Sequence, residues 1–374
     1  MKKIWNGIGE YMRATDGWLL LLWLSASALS VVFLWGLYNS GLSYETKIIS
    51  QLGAVAIGLV SALLISRFDY NDLLKLWKLY LPVCILLVLA TFIVGTARGG
   101  DRAWLVIPVG SRSISIQPSE LLKISFITTF SLHISKVEGE INSLKNMLLL
   151  CLHGGIHILL IQLQDSGTAM IFAIIFFVML FCAGISWKYV LAAVAALAAA
   201  TPLLWFKILT EYQKMRILIV FNPELDKDYY YQQLQSAIAL GTGGIQGTGV
   251  FSGKHVAVPE VYNDFIFSFI GESSGFIGAL GIFLLLIVIA LKILYNSSRA
   301  KDTVGRFICI GMSAMITAQV FTNIGMCLGI LPVIGVTLPL MSSGGSSVLS
   351  LYFGLGLVLS VYCHSNTALF YENR

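Results

Sequence analysis

Ten apolar stretches, most of them close to the length needed to cross a bilayer, leave this chain few folds to adopt. They run at about Trp18 to Tyr38, Ile48 to Ser66, Leu76 to Gly95, Pro118 to Ile134, Met147 to Gln162, Ser166 to Ala183, Tyr189 to Phe206, Asp264 to Leu291, Val304 to Gly329 and Ser346 to Cys363. A helix of about 20 apolar residues spans the hydrocarbon, and in lipid only helices and closed barrels satisfy their own backbone. With 57% hydrophobic and only 11% charged residues, a water-soluble core under a polar skin is excluded. The expected fold is an all-α polytopic membrane protein of about ten transmembrane helices, one domain over residues 1–374 with no tandem repeat. The first run, near Trp18, has no small-residue cleavage site after it and reads as an anchor, not a signal peptide.

Lys and Arg in the short loops set the orientation. One set of loops holds Lys2, Lys3, Arg13, Arg67, Lys75, Lys78, Lys136, Lys145, Lys188, Lys292, Arg299, Lys301, Arg306 and Arg374; the opposite short loops hold only Lys47, Arg98, Arg102 and Arg112. The first set is assigned to the cytoplasm. Both termini then lie inside, and the long 207–263 segment between the seventh and eighth spans lies outside. The net charge of +5 belongs to this topology and not to a nucleic-acid surface. The six cysteines show no CxxC spacing and read as packing residues.

The outer segment has internal order. Residues 208–221, ILTEYQKMRILIVF, mix apolar and charged positions as a helix in the headgroup plane does. The stretch from Gly241 to Lys254, GTGGIQGTGVFSGK, fails as a P-loop, because Thr248 and His255 stand where Gly and Ser or Thr are required. It reads as a mobile turn, or as backbone amides for a phosphate or sugar oxygen. Gly271, Gly275, Gly278 and Gly281 have the small-residue spacing of close helix packing.

Polar residues in or beside apolar runs need reasons, because a charge at the bilayer centre costs about 2.5 to 3.5 kcal/mol. Asp264 and Glu272 stand at and beyond the entrance of the eighth run. Glu120 and Lys123, three apart, share a helix face, either as a structural ion pair or lining a polar cavity. Asp165 in LQDSGTA is a helix cap or a site acid. His153 and His157 are spaced for one metal but lack further ligands, so hydrogen-bonded histidines are preferred. Arg98, Arg102 and Arg112 gather on the outer side, suited to diphosphate oxygens or to lipid headgroups. The turn from Leu331 to Ser347 carries Ser342, Ser343, Ser346 and Ser347 with prolines and glycines, yet no GxSxG elbow.

Taken in order, GTARGGDRAWL, SIQPSELLK, LQDSGTA, YQQLQSAIALGTGGIQGTGVFSGK, PEVYNDFIFSFIGE and LPLMSSGGSS resemble the SEDS family of RodA, FtsW and SpoVE, from about Gly95 to Val361. The resemblance implies a bacterial cytoplasmic-membrane enzyme that polymerises glycan strands from lipid II outside the membrane. It implies as partners lipid II, the nascent strand, membrane lipid and a class B penicillin-binding protein, and no nucleic acid. It places the essential acid at Asp264, the ion pair at Glu120 and Lys123, and the short-turn acid at Asp165. Arg102, Trp104, Gln117, Arg216, Gln232, Ser236, Glu272, Ser342 and Ser346 match further motif positions. The family's QPD, HTDF, GEELG and SYGGSS become Leu163-Gln164-Asp165, Tyr262-Asn263-Asp264-Phe265, GESSG and Ser342-Ser343-Gly-Gly-Ser-Ser here.

On that resemblance Asp264 is the expected general base for an inverting transfer that expels undecaprenyl diphosphate. Arg98, Arg102, Arg216, Lys254 or a divalent cation, Mg or Mn, would balance the leaving charge; no other cofactor or metal site is expected. A lipid-linked-sugar flippase and a non-catalytic scaffold for a penicillin-binding protein are the competing readings.

Overall fold

The computed structural model describes residues 15–98, 101–109 and 112–371. Lys2, Lys3, Arg13 and Arg374 of the orientation argument lie outside the described residues. The helices are α1 (Gly17–Asn39), α2 (Glu45–Ile65), α3 (Tyr70–Lys75), α4 (Trp77–Val94), α5 (Pro118–Lys136), α6 (Leu144–Gln162) and α7 (Ser166–Cys182). They continue with α8 (Trp187–Leu203), α9 (Glu211–Phe221), α10 (Lys227–Gly243), α11 (Ile266–Ser297), α12 (Thr303–Cys327) and α13 (Gly345–Tyr371). Among the described residues, eight helices are long and apolar enough to cross a membrane. α7 is apolar but shorter, and α5 carries Glu120, Lys123, His133 and Lys136.

The departure from a helical chain is a small antiparallel sheet between α4 and α5, in the order β1 (Thr96–Arg98), β2 (Asp101–Val109), β3 (Arg112–Ile116). β2 and β3 pair from Leu105 opposite Ile116 to Val109 opposite Arg112. Apolar and polar residues alternate through RSISI, a period-2 signal that the span-length reading passes over.

α12 and α13 form the centre, with most side chains of α12 buried, including Ser313, Gln319, Thr322 and Asn323. Ser313 Oγ donates to Ala290 O at 2.8 Å and Asn323 donates to two backbone carbonyls, whereas Gln319 Oε1 has no hydrogen-bond partner among the described residues. α8 is the opposite case, an Ala-rich helix in which Val190 alone is buried.

The 207–263 segment is more ordered than a loop. Thr210 caps α9 with a reciprocal Gln213 capping box, and Asp226 caps α10. The glycine-rich piece is neither a mobile turn nor an open cradle. α11 breaks at Gly275, whose φ of +67° and ψ of −171° belong to a region that essentially only glycine occupies. The break frees helix groups, and the loop satisfies them. Thr248 N and Gly249 N donate to Glu272 O and Ser273 O, both at 2.9 Å. Phe276 N and Ile277 N donate to Gly244 O and Ile245 O at 2.9 and 3.2 Å. The amides that a phosphate would use are therefore occupied by helix carbonyls. A Cβ on Gly275 would stand 2.4 Å from Gly247 N, so glycines meet glycines across the repair. Close packing fits Gly271, where a Cβ would meet Leu240, whereas Gly275 is required by the break and Gly281 has nothing within 4 Å.

Candidate active site

One end of the bundle gathers nearly all the polar motifs: the start of α5, the α6–α7 turn, α9 and α10, the 256–265 segment, and the 328–344 segment leading into α13. The backbone around Asp264 is stitched to its neighbours. Asn323 Nδ2 donates to Asp264 O and to Val336 O, each at 2.7 Å. Ser342 Oγ donates to Asn263 O at 2.6 Å and accepts from Leu338 N at 2.8 Å. Ser343 N donates to Tyr262 O at 2.8 Å. Asp264 is not on a helix, as the span boundary implied; it precedes α11, whose N-cap is Phe265.

Its carboxylate is half-buried and makes no hydrogen bond or ion pair among the described residues. Desolvation, then repulsion from Glu260 and Asp165, pushes its pKa up to about 7, with Arg216 opposing. Such a group can accept a proton near neutral pH. Gly335 lies beside it: a Cβ there would be 3.8 Å from Asp264 Oδ2.

Two further polar groups tie α5 to α7 and α13. Asp165 caps α7, accepting from Thr168 N at 2.8 Å, Thr168 Oγ1 at 2.7 Å and Gln117 Nε2 at 2.9 Å. Burial raises its pKa while the Thr168 bonds oppose that. Gln117 N donates to Ser346 Oγ at 3.2 Å, joining α5 to α13. Lys123 Nζ lies 2.9 Å from Glu120 Oε1, both side chains buried, and Ser350 Oγ donates to Glu120 Oε2 at 3.1 Å. The paired acid thus has each oxygen bonded, which a buried charge requires.

Other sequence candidates are placed differently. Ser236 Oγ sits 2.6 Å from Ser268 Oγ and donates to Cys327 O at 2.7 Å, fastening α10 to α11 and α12. Glu272 is buried with Val256 N donating to Oε1 at 2.9 Å, so its oxygens face the outer segment and not an open cleft. Gln232 is half-buried without a hydrogen bond among the described residues, whereas its neighbour Gln233 donates to Leu331 O at 2.8 Å. One residue along a helix turns a side chain by about 100°, enough to exchange the two roles. Arg216 stacks on the Tyr212 ring, 4.2 Å from its centroid, and bonds the Tyr212 hydroxyl. Arg102 is exposed and Trp104 half-buried on β2; Lys254 is exposed on the loop. The side chains of Arg98 and Arg112 lie outside the described residues.

His153 Nδ1 lies 3.1 Å from His133 Nδ1, and His157 Nδ1 bonds His153 O at 2.8 Å, so these rings engage each other and the backbone. Among the described residues, no three His, Cys, Asp or Glu side chains converge as a metal site. Asn323 and Ser350 went unread in the sequence, and His255 was read only as a departure from a P-loop; an amide inside an apolar helix is the signal that marks Asn323.

Known proteins resemble this chain in sequence and fold. The chain is 32% identical over 355 residues to the Escherichia coli K12 peptidoglycan glycosyltransferase MrdB, covering 93% of this chain and 94% of that one. It is 33% identical over 325 residues to the stage V sporulation protein E of Bacillus subtilis, covering 84% and 86%. Among solved structures, a chain of a peptidoglycan synthase complex superposes with a TM-score of 0.79 at 28% identity, covering 94% of this chain and 98% of that one. The Thermus thermophilus rod shape determining protein RodA superposes with a TM-score of 0.69 at 26% identity, covering 93% and 96%. The sequence model of the FtsW, RodA and SpoVE cell cycle proteins matches residues 17–367. The chain belongs to that family, and with it is a multi-pass membrane protein.

Proposed function

We propose that this protein polymerises peptidoglycan glycan strands from lipid II at the outer face of the bacterial cytoplasmic membrane. Both termini then face the cytoplasm, ten helices span, and the 207–263 segment stands outside. The names of its relatives support the chemistry, and the Asp264 carboxylate carries the assignment: it is unpaired and half-buried beside backbone held from two sides.

The acceptor sugar hydroxyl of lipid II attacks the anomeric carbon of the growing strand. Asp264 takes the hydroxyl proton as the C–O bond forms, and undecaprenyl diphosphate leaves with the electron pair. A single displacement inverts the anomeric centre, by the geometry that governs inverting glycosidases. Arg216, close enough to lower the proton affinity of Asp264, would meet the diphosphate charge. The Asp165, Gln117, Ser346 and Glu120, Lys123, Ser350 groups hold α5, α7 and α13 together beneath it. A class B penicillin-binding protein would cross-link the product.

Purified protein supplied with lipid II, with and without such a partner, tests the reading. Strand formation supports it. Movement of lipid II across vesicles without strands favours a flippase, and neither activity in the presence of a functional partner favours a scaffold.

A further inference from the structure

Glu272 is bonded through both its backbone and its side chain, and none of those bonds goes toward the proposed reaction. It sits one turn before the break at Gly275. Its backbone carbonyl accepts from Thr248 N at 2.9 Å and from Thr248 Oγ1 at 3.2 Å. Its side chain reaches the opposite way along the same loop: Oε1 accepts from Val256 N at 2.9 Å, and Oε2 lies 3.6 Å from His255 Nδ1. His255 is held as firmly. Its side chain is 0% exposed, its ring stands edge-on to Phe269 at 4.7 Å, and Nε2 lies 3.2 Å from Ser252 Oγ. Its Nδ1 has no hydrogen-bond partner among the described residues and faces the carboxylate.

Downstream of this pair the chain runs nine residues to Asp264, counting from Val256. Val258 and Val261 are buried along the way, and Glu260 takes a left-handed φ of +53°. The far end is tied by Ser342 to Asn263 O and by Asn323 to Asp264 O. The segment bearing the carboxylate is thus fixed at two places. The near fixture is Glu272.

We propose that Glu272, backed by His255, is a positioning residue for the transfer reaction: the pair pins the start of the 256–264 segment and so sets where the Asp264 carboxylate stands. The inference rests on the reading of Asp264 as the base. Glu272 itself contacts no substrate. A displacement of about 1 Å at a reacting group can cost about 100-fold in rate, so a clamp this near the base has catalytic consequences without touching the sugar.

Amide hydrogen exchange and steady-state strand synthesis from lipid II, measured on native protein, Glu272→Ala, Glu272→Gln, His255→Leu and the Glu272→Ala/His255→Leu double variant, test this. Glu272→Ala should lower kcat by about 10- to 100-fold with KM within about twofold. Exchange should quicken over residues 248–264 and stay unchanged in α12 and α13. Glu272→Gln, which keeps an acceptor for Val256 N, should recover part of the rate. The double variant should fall short of the product of the two single effects, because both residues act through one contact. Native exchange and native kcat in Glu272→Ala would overturn the proposal, as would a raised KM at unchanged kcat, which marks a substrate ligand. Full additivity would remove His255 from the clamp. Should native protein make no strands, the functional reading fails, and the exchange measurement still decides whether Glu272 pins the segment.

Discussion

Asn323 Nδ2 lies 2.7 Å from the carbonyl oxygen of Asp264 and 2.7 Å from that of Val336, so one buried amide ties the proposed base to α12 and to the last outer loop. Asn323 is 0% exposed. Asn323→Leu should therefore leave Val336 O without this donor, at about 1–3 kcal/mol, and Asp264 O with only the weak Cys327 Sγ contact at 3.8 Å. The expected outcome is a lower unfolding temperature in detergent together with a reduced kcat; unchanged values of both would mean that Asp264 is held by other means.

The raised proton affinity of Asp264 gives a rate profile with a definite sign. The base works when ionised, so kcat/KM should climb by about tenfold per pH unit below a midpoint near 7 and level off above it. A profile flat from pH 5 to 8 would contradict a base with a pKa of about 7.

Stability should move in the opposite direction. The folded pKa, about 7, exceeds the ordinary 3.8, so the folded protein holds a proton that the unfolded chain releases between those values. The contribution of the neutral carboxyl is fully present below 3.8 and is lost as pH rises through about 7. Asp264→Asn, which cannot ionise, should thus melt with the native protein near pH 4 and above it at pH 8, as scanning fluorimetry would record.

The ion pair of α5 invites a paired test. Lys123→Met leaves Glu120 charged and buried, and removing one partner of such a pair costs about 3–5 kcal/mol. Adding Glu120→Gln should recover most of that loss. Equal stability of the single and double variants would indicate that Glu120 is solvated once Lys123 is gone.

At the break in α11, Gly275→Ala should be severe. Its φ of +67° excludes a side chain, and the new Cβ would meet the backbone of Gly247 and Ile245 within 2.5 Å. Gly281→Ala, with open space around it, should stay within about 0.5 kcal/mol of native. Yield of monodisperse protein and unfolding temperature distinguish the two.

The spans and the positions of Asp264, Asp165, Glu120 and Lys123 were legible because each leaves a local mark: an apolar run, or an acid where lipid penalises one. The Gly275 repair left no such mark. Its partners are backbone groups of Gly244 to Gly249, two dozen or more residues earlier, and backbone hydrogen bonds carry no side-chain signature. The same holds for Gln233, since choosing it over Gln232 requires knowing which face of α10 meets Leu331. The hairpin of β2 and β3 was readable from alternation in RSISI, but a search for long apolar runs is blind to strands of five residues.

Strand synthesis from lipid II by purified native protein and Asp264→Asn, each with a functional class B penicillin-binding protein, tests the central claim most directly. Native protein should yield long glycan strands and the variant almost none, while both bind lipid II and fold alike. Strands from Asp264→Asn at the native rate would remove Asp264 as the base.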